Sequence, residues 1–305
     1  MSIHAAWRTA LPPVVSLLMF FCAEPLTALR EQTAKPTEVS PSHTSRSADH
    51  TQEFTWISSR THTNMGSTSH RACFLSRVAG NFGTDRYVRI YSSNGSWWLG
   101  GSEPVVAGSP NTVSASARCS AAYSYTGEYT WAQGQDATPM GSIYGRSCFL
   151  TRVGGQLSGN GERVEVYSGT STLWSLGGSS IHFGVHARAR CVVYGPPPLP
   201  QQPYAYTGWI DSGPERRVLQ PTSWACYLAG IRGGFSSSNT LVTIFPQDGF
   251  WNLSGKAGET PNGAKVGCTR QIASAGTSSR IKRHPCSIPP EYFVRAELRP
   301  LIRIE

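Results

Sequence analysis

The stretch Cys148-Phe149-Leu150-Thr151-Arg152-Val153-Gly154-Gly155 decides how this chain is read, because it is written three times. Its counterparts open Cys73-Phe74-Leu75 and Cys226-Tyr227-Leu228 and end at Gly80 and Gly233, so a glycine stands seven positions after the cysteine in every copy. A short apolar run bounded by glycine reads as one strand ending in a turn. Seventeen residues before each cysteine stands a tryptophan, Trp56, Trp131 or Trp209, each preceded by an aromatic-threonine pair.

Working outward, a second strand is predicted at residues 87–91, 163–167 and 241–245, with period-two alternation clearest at Val164 and Val166. A hairpin signal follows, Asn94-Gly95 in the first copy and Asp248-Gly249 in the third, loosened to Gly169-Thr170-Ser171 in the second. Next comes Trp-x-Leu-x-Gly at Trp97, Trp174 and Trp251, which lie 77 residues apart both times. A fixed period of this kind marks a duplicated structural unit. A final strand closes each copy on a second cysteine, Cys119, Cys191 or Cys268.

The fold class expected is therefore all-β: three tandem small antiparallel β modules, each with one intramodule disulfide, after a signal peptide and a flexible linker. Residues 1–28 have the short basic start and apolar stretch of an export signal, and residues 29–52 are a Ser/Thr/Pro-rich linker with too few aliphatic side chains to offset the entropy of ordering. The modules span residues 53–122, 127–194 and 204–270. A Pro-rich linker at residues 195–203 reads as a stiff spacer that sets the third module apart and argues against closure of the three units on one another. Residues 271–305 form a basic tail.

The economical pairing is Cys73 with Cys119, Cys148 with Cys191 and Cys226 with Cys268, which leaves Cys286 unpaired. A bridge closing a loop of about 45 residues contributes on the order of 4 kcal/mol in the chain-entropy model, and a module this small needs it. Such bridges also require an oxidising compartment, which fits a secreted, extracellular or cell-surface protein. No C-x-x-C spacing and no histidine at a repeated position accompany the cysteines, so metal ligation is not expected.

The same search finds no nucleophile elbow, phosphate loop or zinc-protease motif, and no carboxylate occupies one repeat position in all three copies. His182 and His186 are four apart in a segment that reads as loop or strand, where that spacing does not place both on one face. No catalytic residue and no cofactor is expected. The repeated tryptophans are read as core. Trp98, found only in the first copy, and Trp224, found only in the third, are the exposed aromatic candidates for ligand binding, with Tyr91 and Tyr167.

The formal net charge is +9 and the basic residues are mostly arginine. Arg77 and Arg152, four residues after the first cysteine of their copies, are the basic candidates, since guanidinium pairs with carboxylate and sulfate in two-point fashion. These features point to a secreted multivalent binding protein, lectin-like, for a polysaccharide or glycan, or for an anionic surface polymer. Nucleic acid is not the expected partner and no stable membrane span is expected. The rival reading is a coat or matrix component that self-associates through Cys286, and a secreted enzyme ranks below both.

Overall fold

The computed structural model describes residues 52–102, 112–169, 172–194, 204–213, 216–258 and 260–270. The export segment, most of the Ser/Thr/Pro-rich linker, the Pro-rich linker, the basic tail and Cys286 lie outside the described residues. All regular structure within them is β-strand. The first copy supplies β1 (Glu53–Ile57), β2 (Thr63–Ser67), β3 (Arg71–Gly80), β4 (Tyr87–Ser93), β5 (Ser96–Gly101) and β6 (Val113–Ala121). The second supplies β7 (Ser124–Tyr125), β8 (Tyr129–Ala132), β9 (Thr138–Ser142), β10 (Arg146–Gly154), β11 (Arg163–Ser168), β12 (Leu173–Ser179) and β13 (His186–Val193). The third supplies β14 (Tyr204–Tyr206), β15 (Ile210–Asp211), β16 (Arg216–Pro221), β17 (Trp224–Gly233), β18 (Leu241–Gln247), β19 (Phe250–Lys256) and β20 (Asn262–Arg270).

The cysteine-initiated runs are the central strands β3, β10 and β17, and the second strands and hairpins fall where their sequences place them. Asn94 and Asp248 take positive φ, as the paired residues of a tight primed turn must. Each cysteine of a central strand lies directly opposite its partner on the closing strand, β6, β13 or β20. All three expected disulfides are formed.

The expectation that the copies stand apart is overturned. Each copy divides its strands between two sheets, and every sheet joins two copies. One runs β1-β6-β3-β18-β19-β16, the second β2-β5-β4-β10-β13-β7, and the third β14-β20-β17-β11-β12-β9. The joints are β4 on β10, β11 on β17 and β18 on β3, so the first copy pairs with the second, the second with the third, and the third with the first. The ring is closed. The composition of a connecting stretch does not decide whether the strands of the units it joins will pair.

What decides closure is the glycine at the end of each central strand. Gly80, Gly155 and Gly233 donate their amides to the carbonyls of Thr240, Arg86 and Glu162, the residues just before the second strand of the preceding copy, each at 2.9 Å. All three glycines have positive φ, and a Cβ there would lie 2.0–2.1 Å from a backbone oxygen, so no other residue fits. Just beyond, Phe82 donates its amide to the Phe235 carbonyl (2.9 Å) and Phe235 to that of Leu157 (2.5 Å), which links the first copy to the third and the third to the second once more.

The residue after each first cysteine points to the axis. Phe74, Phe149 and Tyr227 form a trigon with ring centroids 4.9–5.0 Å apart, each ring buried. Ala72, Ala122, Val192, Tyr194 and Ala225 pack around it. Burial drives the Tyr194 phenol up to about 12 and raises that of Tyr227 as well, so both are neutral throughout the physiological range.

The larger core lies between the two layers of each copy and holds five of the six repeated tryptophans. Trp97, Trp174 and Trp251 are fully buried and donate their indole N–H to the carbonyls of Arg71, Arg146 and Trp224, the first residues of the central strands. Trp56 and Trp131 are buried and each caps the carbonyl four residues ahead. Trp209 is only half-buried, under Arg232 and Lys265.

The closed ring makes the whole body the folding unit. Equilibrium denaturation followed by tryptophan fluorescence and by near-UV circular dichroism is expected to give one coincident transition. Phe149→Ala is expected to lower its free energy by about 3–5 kcal/mol, and an excised fragment of residues 127–194 to stay unfolded. Three separate transitions, or a folded fragment, would count against this architecture.

Candidate functional site

Most of the arginines that recur by position are mortar. Arg71 and Arg146 lay their guanidinium groups across Gly66 and Gly141, at 2.9 and 2.5 Å from where a Cβ would stand, and Arg146 bonds the Met140 carbonyl at 3.0 Å. Arg118 is buried against the Trp251 ring of the third copy and pairs with Glu53 at 3.4 Å. Arg190 stands over Trp97 of the first copy, 3.9 Å from Glu128. The third copy has Gly267 at this position, and Tyr206 fills the space: its ring packs on Trp174 of the second copy at 4.8 Å and its hydroxyl donates to the Cys148 carbonyl at 2.6 Å. The same gap between copies is thus closed by arginine twice and by tyrosine once.

The expected ligand-binding residues do not form one cluster. Trp224 is half-buried at the head of β17 and packs against the main core, so it is less available than its sequence suggests. Tyr167 lies on the third sheet, over Gly177 and Ala137. Arg77 lies on the first sheet, between Thr243 and Ser116. Trp98, Tyr91 and Arg152 share the outer face of the second sheet, where the first and second copies join.

On that face Trp98 of β5 is the cross-strand partner of Tyr91 on β4. His62 joins them: its ring covers Gly100, 2.4 Å from where a Cβ would be, and its Nδ1 is 2.6 Å from the Tyr91 hydroxyl. Together with Trp56, Arg60, Thr61 and Asn94 these residues line an open cleft of 640 Å³. The neighbouring rung of the sheet runs Arg89, Arg152, Arg188 on β4, β10 and β13. Arg89 stacks over Tyr91 at 4.4 Å and Arg152 over Tyr87 at 4.0 Å. Guanidinium and aromatic groups therefore alternate along the face, each ring holding a cation in place.

Arg89, Arg188 and His62 are not among the residues expected from sequence: none recurs at its position in the other copies, and the basic candidates Arg77 and Arg152 rest on recurrence. Their clue was the reverse: departures from the repeat confined to one joint. His182 and His186 have separate partners. His182 Nδ1 lies 2.6 Å from the buried carboxylate of Glu162, which also accepts the Gly159 amide and ties down the loop before β13. His186 donates from Nδ1 to the Gly184 carbonyl at 2.8 Å and accepts from the Arg152 Nε–H at 3.0 Å. Among the described residues, no three of His, Cys, Asp and Glu come together in a way that could hold a metal ion.

Burial, reinforced by the charges of Arg152 and Arg188, holds the His186 pKa below its ordinary value, against the bond to Gly184. The folded chain therefore binds fewer protons than the unfolded chain just below pH ~6.5. This part of the stability is complete above that pH and is lost as pH falls toward the depressed folded value. Thermal midpoints measured from about pH 7.5 to about pH 5 are expected to fall less steeply for His186→Gln than for the wild-type chain; equal slopes would remove His186 from the account.

No family model matches the chain and no curated protein matches its sequence, so the reading of its function rests on this geometry.

Proposed function

We propose that this is a secreted, extracellular or cell-surface protein that binds carbohydrate through the outer face of its second sheet. The observation that carries the reading is the cleft in which Trp98, Tyr91 and His62 stand side by side, open to solvent and edged by the polar groups of Arg60, Thr61 and Asn94. A sugar ring offers an apolar face and a rim of hydroxyls, and aromatic planes beside fixed polar groups match both. Three disulfides support an extracellular setting, since such bonds persist where the environment is oxidising.

Multivalency through three equal sites has less support than a single composite site. The partner of Tyr91 is Trp98, whereas the equivalent cross-strand pairs are Tyr167 with Ser175 and Phe245 with Asn252. Asn252 is itself buried and spends its amide on the carbonyls of Gln247 and Phe250. The aromatic cleft thus belongs to the first copy. Among the described residues no helix is long and apolar enough to cross a membrane.

The test is a panel of neutral and acidic oligosaccharides titrated against the mature chain by calorimetry. Trp98→Ala is expected to weaken binding by about tenfold or more while the melting temperature stays within ~2 °C of wild type, and Trp224→Ala to lower stability more than affinity. A chain that binds no glycan, and instead assembles with rising concentration until reductant is added, would move the reading to a coat component.

A further inference from the structure

The joint between the first and second copies carries a charge arrangement that the fold does not require. Arginine occupies three successive strands of one rung, Arg89, Arg152 and Arg188, as direct cross-strand neighbours. Like charges placed opposite one another in a sheet destabilise it. The other two joints have the same backbone pairing with different residues in this rung. The second-to-third joint has Glu165, Gly230 and Lys265, with Glu165 and Lys265 in an ion pair. The third-to-first joint has Thr243, Arg77 and Ser116. A closed ring therefore forms at two joints without the arginine row.

Counter-charge at the arginine rung is scarce. Glu128 reaches Arg188 at 2.7 Å and Arg190 at 3.9 Å, at the far end of the row. Neither Arg89 nor Arg152 has a carboxylate within ion-pair distance among the described residues, and the Arg89 Nε–H is buried with no acceptor. Burial, helped by the charges of Arg188 and Arg89, lowers the Arg152 pKa against the opposing pull of Tyr87 and of Glu128. The Arg89 and Arg152 guanidinium groups lie over the rings of Tyr91 and Tyr87, beside the cleft. Two ordered cations that repel each other and keep unused donors are preorganised for an anion.

We propose that Arg89 and Arg152, with Arg188 behind them, form an acid-group site that receives the sulfate or carboxylate substituents of an acidic polysaccharide whose sugar ring lies on Trp98 and Tyr91. The proposal rests on the glycan reading above and names the class of glycan. Strands in a sheet lie about 4.8 Å apart, so the three-strand row spans about 10 Å. A row of that length serves successive acidic residues of one chain, not an isolated ion.

The experiment compares a heparin-derived hexasaccharide, its desulfated and carboxyl-reduced counterpart, and a short single-stranded DNA, each titrated against the full mature chain over a range of salt. The wild-type protein is expected to prefer the acidic hexasaccharide. Arg89→Gln with Arg152→Gln should weaken that binding by at least about tenfold and reduce the slope of log Kd on log salt by about one for each arginine removed. Affinity for the neutral counterpart should not change, and the melting temperature should hold or rise as the repulsion is relieved. Arg77→Gln, at the matching position of another joint, should leave every reading as it is.

Unchanged affinity and salt slope in the double variant would overturn the acid-group site, and if Trp98→Ala still abolished binding the glycan reading would stand without it. Binding of the acidic probe that needs the arginines but ignores Trp98 would uphold the acid-group site and sink the aromatic cleft. Tighter binding of the DNA than of the acidic hexasaccharide would overturn the assignment to a glycan.

Discussion

The amide of a glycine at the end of each central strand, bonded to a carbonyl of the neighbouring copy, is the constraint on which the rest of this structure depends. The bond repeats three times at 2.9 Å and closes a ring. The same glycines, Gly80, Gly155 and Gly233, adopt positive φ, and a Cβ on any of them would strike the backbone of its own copy at Thr112, Gly184 or Pro261. With the ends of β3, β10 and β17 held this way, the residue that follows each cysteine faces the axis, and Phe74, Phe149 and Tyr227 meet there. The disulfides then tie each central strand to its closing strand within one sheet and fix the register of that pair in every copy.

The elements of this fold were legible and their association was not. Strand positions, hairpins, the three disulfides and the burial of the Trp97, Trp174 and Trp251 set follow from patterns local to one copy, where periodicity and turn chemistry act. Closure depends on which strand edge of one copy meets which edge of another, and both edges look alike in sequence, since every β4-type strand is a good partner for any β-strand. A Pro-rich composition describes the connecting stretch and carries no information about which strand edges dock. The informative signs were the closing glycines and the aromatic after the cysteine, present in each copy and too regular for residues that serve only their own unit.

A similar split holds for the candidate site. Trp98, Tyr91 and Arg152 are legible from sequence and share a face; the rule that equivalent positions do equivalent work adds Tyr167 and Arg77, which lie on other sheets, while Trp224, present in one copy only, is half-buried at the head of β17. Triplication relaxes that rule. Once three copies share the burden of closure, a surface rung in one of them is free to change without loss of the fold, and the second sheet has diverged in this way: aromatic pairing at Trp98 and arginine at Arg89 and Arg188 occur at one joint only.

The arginines themselves show how position in the ring sorts one residue type into two roles. Arg118 and Arg190 lie one before a second cysteine, face the gap between copies and are neutralised there by Glu53 and Glu128 while covering a tryptophan. Arg89 and Arg152 lie on the outer face of the second sheet over tyrosine rings, and no carboxylate among the described residues stands within ion-pair distance of them. A guanidinium sealed between layers contributes through packing and one matched charge, and its replacement by Tyr206 in the third copy shows that another large planar group can do the same work. A guanidinium on an outer face without a carboxylate at ion-pair distance adds nothing comparable to the core. In the site we propose, its cost is offset when an anion binds, and two of the three arginines that make that row, Arg89 and Arg188, stand where the repeat is broken.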